Sequence, residues 1–249
     1  MSNETTFKLE LTSASLHILG MIFMVLDHTW ATLPYMPEWM TGVGRLTFHI
    51  FAFLTVEGFF HTSDIKKYMK RMLIFACISE IPFNLMVAGG IIFPFHQNVL
   101  FTFLIGLVGM YLMEEMKKKD NLLLTVGVAV LVVLMGYLMG TLTFVDYNGC
   151  GVLIIFVFYF FRGNTWFYRL GQLAGLFFVD MVLLRGLVYP VQLGNLYLEI
   201  PQQGLALLSL VFIWLYKGKQ GYHSKPFQYF CYGFYPVHMM VLYLLAMLY

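Results

Sequence analysis

An aspartate followed by a histidine, Asp27 and His28, sits inside an apolar run of this chain, where ionisable side chains are costly and mark functional sites by default. Histidine titrates near neutral pH. His28 can therefore take a proton from an amine or hydroxyl nucleophile, provided another group, usually a carboxylate, holds its tautomer. Adjacent helical residues point about 100° apart, which leaves Glu80 and Asp180 beside Asp27 as carboxylates able to orient the ring. His17 lies eleven residues before His28. On a helix that spacing returns to nearly the same face about 16 Å away. Such a separation suits an extended donor, with one cationic group meeting a phosphate while the histidine acts at the reactive end.

Other polar groups are embedded in the same way. Arg45 and His49 are four apart at one end of an apolar run, and Glu57 and His61 are four apart at its other end, each pair on one helical face. Gln97 and Asn98 supply amides near a helix start. Tyr235, Pro236 and His238 form a further polar cluster, and Pro82 lies beside Glu80. A helical proline frees a backbone carbonyl and kinks the helix, and kinks beside polar groups predict an internal cavity. Interhelical hydrogen bonds can lock a bundle with one carboxylate and two bases, so the whole set, with Asp180 and Arg185, exceeds a packing need. Cys77, Cys150 and Cys231 lie far apart in apolar runs and make neither a metal motif nor an even disulfide set. No metal is expected.

The elements that must position these groups follow from composition. The 249 residues are 60% apolar and only 11% charged, whereas roughly a quarter of a soluble domain is charged. That balance excludes a soluble, disordered or coiled-coil chain, and a net charge of +2 offers no surface for nucleic acid. A membrane-spanning helix needs about 20 apolar residues. Segments 14–33, 41–60, 69–88, 96–113, 122–141, 149–161, 170–189, 203–216 and 228–248 qualify, of which 149–161 and 203–216 are short for full spans. The expected fold is an all-α polytopic transmembrane bundle of about nine spans, a single membrane domain over 1–249 with no soluble domain. The first segment has no small-residue cleavage site and reads as a retained helix. With the N-terminus cytoplasmic and the C-terminus outside, the inner stretches hold Lys8, then Lys66, Lys67, Lys70 and Arg71, then Lys117, Lys118 and Lys119, then Arg162 and Arg169, then Lys217, Lys219 and Lys225. These are 13 of the 15 basic residues, and the outer loops 34–40, 89–95, 142–148 and 190–202 have none.

Several stretches together resemble the TraX-like family of membrane proteins, named for the conjugative pilin N-acetyltransferase. They are MVLDHTW (24–30), GRLTFHIFAFLTVEGF (44–59), KKYMKRMLIFACISEIPFNL (66–85), QNVLFTFLIGL (97–107), DYNGCGVLIIFVFYFFR (146–162) and YGFYPVHMMVLYL (232–244). They cover most of the chain in the expected order. The resemblance implies a multi-pass acetyltransferase of the bacterial cytoplasmic membrane. It would move an acetyl group from cytosolic acetyl-CoA, without a metal, to an amine or hydroxyl on a peptide N-terminus, amino sugar or glycan at the outer side. In related membrane acyltransferases a basic residue precedes the catalytic histidine by eleven positions. Here His28 fills the histidine position, and His17 stands where TraX-like sequences typically have Lys, with Lys66, Lys67 and Arg71 as further phosphate contacts. Asp27 or Glu80 would stabilise the His28 imidazolium. Arg45, Glu57, Gln97, Asn98, Asp146, Tyr235 and His238 are the candidates for the acceptor or the oxyanion. The competing expectation is a proton-coupled small-solute transporter, because buried carboxylates with histidines also make proton relays. No pair of related halves in the sequence supports it.

Overall fold

The computed structural model describes residues 10–194 and 196–249; Lys8, counted above with the inner basic residues, lies outside them. The chain is mostly helical. In order come α1 (Ser13–Thr32), α2 (Trp39–Gly44), α3 (Leu46–His61), α4 (Ile65–Ala88), α5 (Val99–Lys117), α6 (Leu122–Leu142), α7 (Asn148–Phe160) and α8 (Trp166–Phe178), which continues as a π-helical turn (Val179–Leu184). A hairpin of β1 (Val188–Leu193) and β2 (Leu196–Pro201) follows, then a 3-10 segment (Gln202–Leu208), α9 (Ser209–Leu215) and α10 (Lys225–Ala246). Polar caps mark the starts: the side chains of Thr12, Asp64, Asn98, Asn121 and Ser224 accept first-turn N–H groups of α1, α4, α5, α6 and α10.

Among the described residues, seven helical stretches are long and apolar enough to cross a membrane. The expected short segments 149–161 and 203–216 match the two shorter apolar helices, Asn148–Phe160 and Gln202–Leu215. One element departs from an all-α fold. The seventh segment, expected to run to 189, ends at Leu184, and residues 188–193 pair antiparallel with 196–201, Val188 opposite Pro201 and Leu193 opposite Leu196. The stretch 190–202 contains no long apolar run, only alternating residues and Gly194, whose φ of 61° follows β1.

Hydropathy and burial run in opposite directions. The most apolar span, α6, buries only Val132, Gly136 and Gly140, because lipid-facing surface has no need of polar residues. The short α7 is the centre of the bundle, with Val152, Ile154, Ile155, Phe156 and Phe158 inaccessible against Phe48, Leu107 and Leu176 of α3, α5 and α8. Its glycine start lets α6 approach: a Cβ on Gly140 would stand 2.9 Å from Gly149 Cα, and one on Gly149 would stand 2.3 Å from the Tyr137 carbonyl.

Contacts between loop-proximal residues sort the helix ends into two groups. At one end Arg162 meets Glu57 at 2.6 Å, Tyr159 Oη donates to Glu114 at 2.7 Å, and Leu11 pairs with Tyr216. The basic stretches 66–71, 117–119, 162–169 and 217–225 therefore share that end. At the other end Gln97 pairs with Val145, and the hairpin's Tyr189 accepts from Gln202 at 2.8 Å. There, too, α1 closes on α2: a Cβ at Gly44 would lie 2.3 Å from the Cβ of Asp27. Replacing Gly44 with Ala is therefore expected to push the α2–α3 junction off α1 and destabilise the protein by about 1–3 kcal/mol. Thermal unfolding of the detergent-solubilised variant checks this; an unchanged midpoint would mean that the two helices are not held in this contact.

Candidate functional site

Asp27 and His28 project from α1 in different directions and take different partners. Asp27 is bound by one Arg45 nitrogen, Nη2, at 2.6 and 2.7 Å to its two oxygens, and by the Thr41 hydroxyl at 2.8 Å. His28 instead meets His238 of α10 edge to edge, Nδ1 to Nε2 at 2.7 Å, with the ring planes within 12° and their centroids 4.9 Å apart. The carboxylate expected to orient His28 is thus engaged elsewhere, and a second histidine takes that place. Glu80 does not reach the ring either; it accepts from the side-chain amide and backbone N–H of Asn98. The third carboxylate, Asp180, is fully buried with His49 at 2.9 Å and Gln203 at 3.3 Å.

Donor counting sets the tautomers of the histidine pair. The Phe234 carbonyl lies 2.8 Å from His238 Nδ1 and can only accept, so that nitrogen carries the hydrogen. With both rings neutral, His238 Nε2 then accepts from His28 Nδ1–H, and His28 Nε2 is left with the lone pair.

His28 lines a small chamber of about 50 Å³ with Asp27, Asp146, Thr47, Phe48 and Tyr147. The chamber shares Met24, Phe51, Val99, Phe103 and Tyr235 with a second cavity of about 520 Å³, so these five residues form the boundary, or neck, at which the two adjoin. The larger cavity passes His17 and reaches a rim that includes the exposed Arg71, His61, Gln220 and His223, at the end where the basic stretches gather. His17 Nδ1 donates to the Ser13 carbonyl at 2.8 Å, which leaves its Nε2 as the other ring nitrogen beside the cavity.

The sequence candidates divide accordingly. His28, Asp27, Asp146 and Tyr235 line the chamber, and His17, Arg71, Glu57 and Tyr235 line the larger cavity. His238 stands behind His28. Arg45 is engaged with Asp27 rather than presented to the chamber. Lys66 and Lys67 are exposed and do not line the cavity, and Lys67 pairs with Asp64 at 3.3 Å. Glu57 is held by Arg162. Asn98 caps α5 and donates to the Ala76 carbonyl at 2.9 Å. Gln97 pairs through its backbone with the turn at 144–146, and its side chain donates to the Pro94 carbonyl. His223, Phe48, Phe51, Phe103 and Tyr147 carried no signal, because aromatics in apolar helices and a histidine in a polar loop look ordinary in sequence.

The turn that brings Asp146 and Tyr147 into the chamber is unusual. Phe144, Tyr147 and Asn148 have φ of 54°, 60° and 45°, a left-handed backbone that costs on the order of 1–3 kcal/mol per residue. Gln97 holds the turn through backbone bonds of 2.8 Å to Phe144 and 2.9 Å from Asp146, and Thr102 Oγ1 donates to the Asp146 carbonyl at 2.6 Å. His96 Nε2 reaches the Asp146 carboxylate at 3.3 Å.

Fold and site define a helical membrane protein with a histidine pair beside two adjoining cavities. The chain belongs to the TraX family: the family model described as "TraX protein" matches residues 12–246. It is also similar, at 27% identity over 249 residues, to "Probable fimbrial assembly protein FimC, serogroup H1" of Dichelobacter nodosus, with 94% of this chain and 95% of that one covered. No solved structure matches.

The His96–Asp146 contact yields a pH prediction. The hydrogen bond to Asp146 raises the pKa of His96 above its ordinary value, against the opposing effect of partial burial. A raised folded-state pKa gives stabilisation that is fully present below the unfolded value of about 6.5 and is lost as pH rises through the folded value. The thermal midpoint of wild type should therefore exceed that of His96→Gln at pH 5.5, and the gap should close by pH 9. A gap independent of pH would sink the assignment.

Proposed function

We propose that this chain transfers an acetyl group from acetyl-CoA to an amine or hydroxyl acceptor, a peptide N-terminus being the acceptor that fits a family associated with pilin acetylation. The observation that carries the reading is the adjoining pair of cavities: a large one with Arg71 on its rim at the basic end, and a small one lined by His28. The basic end faces the cytoplasm in this reading, by the excess of Lys and Arg there, so that the membrane is the bacterial inner membrane, the N-terminus is inside and the C-terminus outside. CoA then enters from the cytoplasm with its phosphates near Arg71, His61 and His223 and its pantetheine arm directed through the neck. His17 takes the middle of that path.

In the chamber the acceptor nitrogen or oxygen attacks the thioester carbonyl carbon. His28 Nε2 removes the proton from the nucleophile as the new bond forms, and His238 accepts a hydrogen bond from Nδ1–H of the same ring. The carbon–sulfur bond then breaks, the proton passes from His28 to the CoA sulfur, and the acetylated acceptor and CoA thiol leave. The Tyr235 hydroxyl is the donor for the oxyanion, and Asp146 is the carboxylate available to an approaching acceptor.

Two measurements test this. CoA added to purified, detergent-solubilised protein should raise its unfolding midpoint, by about 2.7 kcal/mol of stabilisation at a hundredfold excess over Kd. His28→Ala should keep that shift but lower acetyl transfer on the order of 10²–10⁴-fold. The acceptor is sought by the mass difference of one acetyl group in peptides and glycans from cells with and without the protein. No response to CoA, together with uptake of an unmodified solute into vesicles, would instead favour the transporter.

A further inference from the structure

The neck and chamber also bear on which acyl group the donor carries, an inference that rests on the CoA reading above. The larger cavity, at about 520 Å³, has room for a long flexible arm, whereas the chamber beyond the neck holds about 50 Å³. By a measure in which one water takes roughly 10–15 Å³, the chamber accommodates roughly four groups of that size. An acetyl group with the attacking atom of the acceptor is four heavy atoms, and each further methylene must find space elsewhere.

The walls allow little relief. Phe48 lies flat against Tyr147 with ring centroids 4.1 Å apart and against Phe103 at 5.5 Å. Phe48 and Phe103 are 2% and 4% exposed, so neither ring has solvent to swing into. Behind them the backbone is close: a Cβ on Gly151 would meet Phe48 at 3.0 Å and Tyr147 and Thr102 at 2.8 Å. Tyr147 is further fixed by the left-handed turn pinned by Gln97 and Thr102. Interiors packed in this way do not expand by a methylene without strain.

We propose that the ring stack of Phe103, Phe48 and Tyr147 is the acyl-length determinant, limiting the donor to acyl groups of two to three carbons. Phe103 is the critical member because it alone of the three borders both cavities, so that removing its ring widens the chamber toward the larger one.

The test uses full-length protein in detergent and unfolding midpoints with CoA, acetyl-CoA, butyryl-CoA and hexanoyl-CoA. In wild type, CoA and acetyl-CoA should stabilise equally and the six-carbon thioester at least tenfold more weakly by apparent Kd. Phe103→Ala should bring hexanoyl-CoA to within about threefold of acetyl-CoA, both measured on the same variant preparation. Phe103→Leu serves where the alanine variant fails to fold, with an intermediate chain length gained. Because each ratio is taken within one preparation, the folded fraction cancels. Equal binding of all chain lengths by wild type, or an unchanged preference in both variants, overturns the proposal while the CoA reading stands. Absence of any shift with CoA itself overturns the donor reading, and this one with it.

Discussion

The contact on which the site depends is the Arg45 guanidinium on the Asp27 carboxylate, 2.6 Å long and backed by Thr41. With 15% of the Asp27 side chain and 25% of that of Arg45 accessible, the pair is partly buried, and losing either partner leaves the other's charge poorly compensated. The pair therefore fixes the rotation of α1 about its own axis against the α2–α3 junction. Since the next residue points about 100° away, fixing Asp27 toward α2 directs His28 toward α10. Gly44 makes the approach possible by presenting no side chain to Asp27.

From that rotation follows the polarity of the histidine pair. The Phe234 carbonyl sets the hydrogen on His238, and His238 sets the one on His28. A carboxylate in the same place would stabilise a charged imidazolium, whereas a neutral imidazole acceptor fixes the tautomer without adding a second charge to an apolar region. The base of the proposed reaction is thus held by a dipolar partner. Of the carboxylates near it, Asp27 is paired with Arg45, and Asp146 meets His96 at 3.3 Å.

A second consequence concerns the distribution of cavities. Phe48 of α3, Phe103 of α5 and Tyr147 in the turn before α7 make the aromatic wall, while α1, α4 and α10 bound the larger cavity with residues such as His17, Arg71 and Gln228. A rigid centre with a more open flank puts the size-limiting surfaces where packing is densest. The strained turn at 144–148, held by hydrogen bonds from Gln97 and Thr102, extends that rigidity into the chamber.

Sequence alone determined the membrane class, most helix positions and the short character of 148–160 and 202–215, because a bilayer admits only long apolar helices and leaves that demand visible in composition. It also singled out His28, His17, Asp27 and His238, since an ionisable group inside an apolar run stands out wherever it folds. Tertiary structure alone decided who partners whom. Asp27 and His28 are neighbours in the chain yet belong to different contacts, and His28 and His238 are 210 positions apart and touch. The β hairpin escaped because its alternation carries no membrane signal, and the aromatic wall escaped because Phe48 and Phe103 look like lipid-facing residues until a helix rotation turns them inward. Helix rotation is set by pairwise packing and hydrogen bonding between distant segments, and no local pattern in the sequence encodes it.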